Sequence, residues 1–469
     1  MSENELVADA GSFRDPASSV FYLNSRVLRG FSERGAADWA KVSAAKFLPR
    51  LIEQGKVVGT RPATDGIPTD VAERFSALIE HDRIPFITYP YEWTFSMLQD
   101  AAALHLEILL AAQADDFTMK DGYAYNVQFN GVQPVFIDLG SFEPAKNWGP
   151  WLGYRQFCQT FLYPLMLQAH KDISFQPFLR GQINGLTPAQ MTAILDGRAK
   201  WKSGVFKNVT LHAGLEKRFA ASETRSVQKE VTKAGFNKDL QIALATKLLK
   251  LVRKLAWKRS DSVWSSYGTT CTYDDENKQQ KADFVRTAAS ARPRRLTWDL
   301  GCNEGTYSRI AAESSQYVIA ADIDDLVIDR LYRTLRKDGP ANILPIVVDI
   351  VDPSPGLGWR NHERNAFDQR EKPDLVLALA LVHHLAIGSN IPLPKIVDWF
   401  VFLGAEIVVE FVERDDPMAH HLLQNKPPHT HDEYTIEAFT ALVESAFTVT
   451  HRQQLNLGTR TLFHLSPKQ

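Results

Sequence analysis

Cysteine is scarce, with three among 469 residues at positions 158, 271 and 302. Far apart and odd in number, they make neither a disulfide framework nor a CxxC metal pair, and they fit a reducing cytoplasm. Neither sign of charge is in excess. The 53 Lys and Arg stand against 55 Asp and Glu, a formal net charge of −2, so a general polyanion-binding role gets no support and no specific nucleic-acid signal is present. The opening stretch MSENELVADAGSF lacks the basic and apolar regions of a secretory signal. Long apolar runs are missing too: Leu98 to Ala112 is interrupted by Asp100, His105 and Glu107 and falls short of a bilayer span. These absences point to a cytoplasmic protein with no membrane span. A chain of this length exceeds one ordinary core, so two domains are expected.

The most informative stretch is Leu296 to Arg309, LTWDLGCNEGTYSR. An apolar run ends in Asp299, turns through Gly301 and Gly305, and enters a helix. Glycine at these positions lets the backbone approach a ligand and take positive φ, and the helix N-terminus aims free N–H groups into the same space. A nucleotide-like cofactor suits such a place. The glycines are four apart and follow an acid, D-x-G-x-x-x-G, which is not the G-x-G-x-x-G of dinucleotide folds.

This stretch resembles motif I of the class I S-adenosylmethionine (SAM) methyltransferases. The following sequence continues the likeness. YVIAADID is an apolar run ending in Asp322, 17 positions past Gly305, where a strand-end carboxylate reaches a ribose diol. VIDRLYRTLRK reads as an amphipathic helix, and NILPIVVDI as a third strand ending in Asp349, where the family places a group against the adenine amine. PDLVLALALVHHLAIG is a strand followed by His383 and His384, EIVVEFV a fifth strand carrying Glu410, and FTVTHRQQL with TRTLFHLS a closing hairpin around Leu457-Gly458. The resemblance implies an α/β domain with a Rossmann-like seven-stranded methyltransferase sheet. It assigns cofactor contacts to Asp299, Gly301, Cys302, Asn303, Gly305, Asp322, Ile323, Asp349, Ile350 and Leu379.

Ligands of such sheets lie beyond the carboxyl ends of the strands, which sets His383 and His384 at the methyl side. Either could take a proton from an attacking hydroxyl or amine, or merely hold the loop. No N/D-P-P-Y/F follows the fourth strand. HHLLQNKPPHTHDEY adds His420, His421, His429 and His431 near carboxylates. No H-x-x-x-H or CxxC supports a closed metal site there, and a polar substrate pocket is the reading. Trp264, Tyr267 and Tyr273, ahead of a helix from Asp275 to Ala289, are candidate lid contacts or plain packing.

In the N-terminal half, VFYLNSRVL and GKVVGT read as β-rich, KVSAAKFLPRLIEQ as one helix, Arg74 to His81 as helix, and Ile84 to Trp93 as a strand. MLQDAAALHLEILLAAQ is a helix with a buried face. MKDGYAYNVQFNGVQPVFIDLGSFE then places Asp121 and Asn126 around a short loop, a hairpin turn at QFNG, and Asp138 at a strand end. That order, D-x-x-x-x-N, hairpin, D-x-G, resembles the protein kinase fold. The resemblance implies an α+β kinase-like domain in which Asp121 is the catalytic-loop acid and Asn126 and Asp138 hold magnesium under ATP. Departures are evident: Met119 and Lys120 stand where His and Arg would, and G-x-G-x-x-G-x-V and V-A-I-K are missing. Lys41, Lys46 and Lys56 are candidates for the anchoring lysine. The other reading is that the three side chains serve ordinary turns.

The expected organisation is a kinase-like domain over 1–220, a linker with a basic amphipathic helix over 221–262, and a methyltransferase domain over 263–469. That helix, within Gln241 to Arg259, reads as a connector docking its apolar face. The pairing of halves is similar to bacterial nodulation-related methyltransferases and glycan-terminating kinase–methyltransferases. It implies methyl transfer to O or N of a small-molecule or sugar-like acceptor, with the N-terminal half either a second enzyme or a degenerate binding domain.

Overall fold

The computed structural model describes residues 6–145, 148–202, 204–211, 237–262, 275–424 and 426–468. The proposed lid residues Trp264, Tyr267 and Tyr273, and Cys271, lie outside them. The chain forms two compact units. Unit 1 comprises Met1–Phe129, Gln133–Arg259 and Gly356–Asn365, and unit 2 comprises Asn130–Val132, Ser260–Pro355 and Ala366–Gln469.

Unit 1 begins with an antiparallel five-stranded sheet in the order β1-β2-β3-β5-β4, with β1 Leu6–Ala8, β2 Ser18–Leu23, β3 Arg26–Phe31, β4 Thr60–Pro62 and β5 Ala77–His81. Asn24 takes φ +55 in the tight turn between β2 and β3, a conformation Asn tolerates. Between β3 and β4 the expected single helix is two, α1 (Glu33–Ser43), capped by Ser32, and α2 (Phe47–Glu53). Arg74 to His81 is not a helix: the backbone of Ala77–His81 pairs with β3 on one side and β4 on the other, and sheet pairing overrides local propensity. Ile84 to Trp93 forms no strand, since Pro85 and Pro90 cannot donate to a ladder.

Helix α3 (Phe95–Ala114) is apolar on most of its circumference and is the core helix of unit 1. It reaches 20 residues, longer than the sequence suggested, and has the length and composition to cross a bilayer, yet 67% of that window is buried inside the protein. β6 (Phe117–Met119) pairs antiparallel with β9 (Phe142–Pro144), and β7 (Val127–Asn130) with β8 (Gln133–Phe136) forms the hairpin turning at Gly131. The basic helix α4 (Lys238–Lys254) docks on α3 within unit 1: Gln99 Nε2 donates to the carbonyls of Val252 and Leu255, and Arg253 pairs with Glu107 at 2.6 Å. The connector thus belongs to the N-terminal core.

A segment the sequence did not mark, Gly356–Asn365, also folds in unit 1. Glu363 accepts from Arg14 at 2.5 Å, the Asn365 N–H donates to the Tyr89 hydroxyl at 2.9 Å, and Arg364 lies 4.6 Å from the Tyr125 ring centroid.

Unit 2 is built on a seven-stranded sheet in the order β12-β11-β10-β13-β14-β16-β15. The strands are β10 Arg294–Leu300, β11 Ser315–Asp322, β12 Ile343–Val347, β13 Leu375–Ala378, β14 Glu406–Val412, β15 Phe447–Gln454 and β16 Arg460–Pro467. The first five are parallel, and β16 enters antiparallel between β14 and β15. Val318, Ile319, Ala320 and Ala321 are all fully buried, the pattern of a parallel strand covered on both faces. Helices α5 (Asp275–Ser290), α6 (Thr306–Ala312), α7 (Asp325–Asp338), α8 (Leu393–Leu403) and α9 (Ile436–Ala446) accompany the sheet. Strand order reverses at β10, whose neighbours are β11 and β13, so their carboxyl ends border a crevice.

Candidate functional site

That crevice is a cavity of about 590 Å³ in unit 2. Its floor is the turn after β10. Gly301 and Gly305 take φ of +76 and +77, with Asn303 at +47 between them, and only glycine enters that region without cost. A Cβ on Gly301 would meet nothing nearer than Leu381 Cδ1 at 3.7 Å, so the requirement there is the dihedral. On Gly305 it would lie 2.8 Å from Leu331 Cδ1, so the turn itself lies close against α7.

Three strand-end carboxylates surround this turn. Asp299 is buried, and its Oδ2 accepts from Ser308 Oγ at 2.5 Å. Burial pushes its carboxyl up to about 6, opposed by Ser308 and Lys281 and reinforced by Asp322. Asp322 accepts the Asn303 N–H on Oδ2 and the Asp324 N–H on Oδ1, at 2.9 and 3.0 Å; burial raises its carboxyl, and those N–H groups restrain the rise. A carboxylate has about four acceptor sites, so both oxygens still have capacity for a diol. Asp349 accepts the Val351 N–H at 2.8 Å. Ile323 and Val351 line the same cavity while 54% and 46% exposed, apolar surface of the kind a flat heteroaromatic ring covers.

The opposite wall comes from α5 and the end of β13. Ala380, two residues past the strand, takes φ +51, and His384 starts a π-helical turn through Gly388; such irregular backbone is frequent at functional sites. His384 lines the cavity, and burial followed by the Arg460 charge lowers its imidazole to about 4, so it is neutral at pH 7. Lys278 and Lys281 line it from α5. Lys281 Nζ lies 2.6 Å from Glu410 Oε2 and 4.7 Å from the Tyr307 ring centroid. Behind them Arg460 holds Asp416 through Nε at 2.7 Å and Nη2 at 3.0 Å, and its Nη1 is 3.6 Å from Glu410.

Of the residues named from sequence, Asp299, Gly301, Cys302, Asn303 and Asp322 line the cavity, as do Ile323, Asp349, Ile350, Leu379 and His384. Gly305 shapes the turn. His383 is not brought to the cavity: it is fully buried, its ring centroid 4.1 Å from that of His384, and neither ring nitrogen has a hydrogen-bond partner among the described residues. Its placement is that of a core residue. His420, His421, His429 and His431 do not line this cavity, and His429 pairs with Asp432 at 2.8 Å. No group of three or more His, Cys, Asp or Glu among the described residues could hold a metal ion. Lys278 and Lys281 were missed, although two lysines at i, i+3 on one helix share a face.

Within unit 1, Asn126 and Asp138 meet, and the Asp138 charge acts on Asp121. Asn126 Nδ2 donates to Asp138 Oδ2 at 3.2 Å. Gln156 donates to Asp121 Oδ1 at 3.2 Å, and the Asp121 N–H donates to Ser141 Oγ at 3.3 Å. Burial raises the Asp121 carboxyl, Gln156 opposes the rise, and Asp138 adds to it. The sequence did not mark Arg29 of β3, which lies 3.1 Å from Asp138 Oδ1. Lys56 pairs instead with Glu107 at 2.8 Å.

No family model matches the chain. It is 32% identical over 479 residues to the nodulation protein NoeA of Rhizobium meliloti (strain 1021), covering 99% of this chain and 98% of the relative. Among solved structures it is similar to the N-methyltransferase NodS from Bradyrhizobium japonicum WM9 in complex with S-adenosyl-L-homocysteine, at 13% identity over 45% of this chain and 100% of that one, with a TM-score of 0.32. It is also similar to the magnesium protoporphyrin IX methyltransferase ChlM from Synechocystis PCC 6803, at 14% identity over 48% of this chain and 95% of that one, with a TM-score of 0.30.

Proposed function

The chain belongs to the family of the nodulation protein NoeA, and we propose that its unit 2 is a SAM-dependent methyltransferase acting on O or N of a small-molecule or sugar-like acceptor. The observation that carries this reading is the cavity wall: two strand-end carboxylates beside exposed Ile323 and Val351, over a turn whose glycines leave the backbone bare. These residues fit a nucleoside with a charged tail. When bound, SAM supplies an electrophilic methyl group on a sulfonium.

The protein's share is binding and orientation. Asp322 accepts the ribose hydroxyls, and Asp349, Ile323 and Val351 receive the adenine. Asp299, ionised above pH 6, faces the ammonium of the methionine part. His384, neutral at pH 7, takes the proton of the attacking hydroxyl or amine on a ring nitrogen. Calorimetry with SAM and with NAD tests the reading: SAM binds, NAD does not, and Asp322→Ala weakens SAM. Binding of NAD alone sinks it.

For unit 1, a kinase-like domain in a binding or scaffold role is the companion reading, supported by the sheet order β1-β2-β3-β5-β4, the β6–β9 pair, and the Asn126–Asp138 contact. A bifunctional kinase–methyltransferase is the alternative, favoured by the same contact together with the Asp138 charge acting on Asp121.

A further inference from the structure

The groups around Asp138 do not fit a magnesium–nucleotide site. Magnesium demands near-ideal octahedral oxygen ligation at about 2.0–2.1 Å and is held by carboxylates together with phosphates and water. Here Asp138 Oδ1 lies 3.1 Å from the Arg29 guanidinium and Oδ2 accepts from Asn126 at 3.2 Å. Arg29 itself is only 6% exposed. Its Nη1 donates to Ser18 Oγ at 3.1 Å, its Nη2 to the Ile137 carbonyl at 3.3 Å, and its Nε to His81 Nε2 at 3.3 Å.

The histidine is set for that role. Because Nε2 accepts, the proton sits on Nδ1 and faces Thr60 Oγ1 at 2.8 Å, and burial followed by the Arg29 charge lowers the ring to about 3, keeping it neutral. Space is closed as well. A Cβ on Gly140 would come within 2.5 Å of Ser18 Oγ and 3.0 Å of Arg29 Nη1.

We propose that the Asp121–Asn126–Asp138 cluster of unit 1 is a metal-free latch whose resident cation is the Arg29 guanidinium, so that no magnesium nucleotide is taken there. The guanidinium cannot be deprotonated, and its planar fork fixes several acceptors at once. It therefore supplies the positive charge Asp138 would otherwise draw from a metal. It also ties β2, β3 and β5, through Ser18, its own strand and His81, to the turn after β8. The latch closes the sheet half of unit 1 onto the hairpin half, a structural duty in place of phosphotransfer. The inference rests on the kinase-like reading for the ligand expected there, and it is independent of the SAM reading of unit 2.

The test uses the full-length protein with Mn²⁺ and ATP as probes, read by thermal shift and by electron paramagnetic resonance of bound Mn²⁺. Wild type is expected to show no Mn²⁺-dependent ATP shift and no bound-Mn²⁺ signal. Arg29→Ala is expected to melt lower and to recover with millimolar Mn²⁺, because a ligand that binds the folded state alone stabilises it by mass action; the recovery vanishes in Arg29→Ala/Asp138→Asn. A wild-type Mn²⁺–ATP shift that Asp138→Asn abolishes overturns the proposal, and so does an Arg29→Ala protein that folds yet takes no Mn²⁺. Should Arg29→Ala fail to fold, the wild-type measurement still decides. SAM calorimetry on the same wild-type sample separates a failure here from a failure of the methyltransferase reading.

Discussion

The Lys281 ammonium lies 2.6 Å from the Glu410 carboxylate, with the two side chains only 3% and 0% exposed. Arg460 stands on the far side of Glu410 but is held bidentately by Asp416. The pair is therefore asymmetric: if Glu410 is removed, Arg460 keeps Asp416 in bidentate contact, whereas Lys281 keeps the charge of Asp299 but not the carboxylate 2.6 Å from its ammonium.

Glu410→Ala is expected to destabilise unit 2 by about 3–5 kcal/mol, the cost of breaking a buried pair from one side. Lys281→Met should cost less, since Glu410 retains Arg460 at 3.6 Å. Urea unfolding of both variants reads the difference, and equal losses would contradict the asymmetry.

Asp299 should make stability depend on pH. Its folded carboxyl stands at about 6 against 3.8 unfolded, so the folded state holds the proton more tightly. The contribution is fully present below about pH 3.8 and is lost as pH rises through 6. Asp299→Asn removes that loss. At pH 7 it is expected to be more stable than wild type by up to about 3 kcal/mol and to bind SAM more weakly. Thermal melts from pH 4 to 8 together with calorimetry check both halves.

The two glycines of the turn predict unequal losses. Ala at either position must take positive φ, which costs about 1–2 kcal/mol. Gly305→Ala must also displace Leu331, whose side chain lies 2.8 Å from the new Cβ. Gly305→Ala should therefore be the less stable of the two by chemical denaturation.

His384 and His383 are expected to fail differently. His384→Ala should cut methyl transfer by about 10²–10⁴-fold while leaving SAM affinity nearly intact, measured with labelled SAM once a metabolite screen has supplied the acceptor. His383→Ala should act on stability first, because it empties a fully buried site.

Much of unit 2 is legible in the sequence because its signals are local. Asp299, Asp322 and Asp349 each close an apolar run, and the glycines between Asp299 and the next helix stand in one short stretch. Long-range partners are not written that way. Arg29 looks like any strand arginine in RVLRGF; its role comes from Ser18, His81, Ile137 and Asp138, which the fold gathers. Ala77–His81 misleads for the same reason, since its pairing partners lie in β3 and β4. His383 and His384 are adjacent in sequence, and only the π-helical turn decides which one reaches the cavity.

The contact between Arg14 and Glu363 joins residues 349 apart, so it can form only late in synthesis. When Arg259 has left the ribosome, unit 1 still lacks Gly356–Asn365. The wait is 365 − 259 = 106 residues, about 5–20 s at ordinary elongation rates. During that interval Arg14, Tyr89 and Tyr125 have none of their partners from the segment. The N-terminal unit is completed only after β10, β11 and β12 have been made, so the synthesis of the two units overlaps. A gene cut after codon 259 would yield a polypeptide without the segment that supplies the buried Glu363 to Arg14.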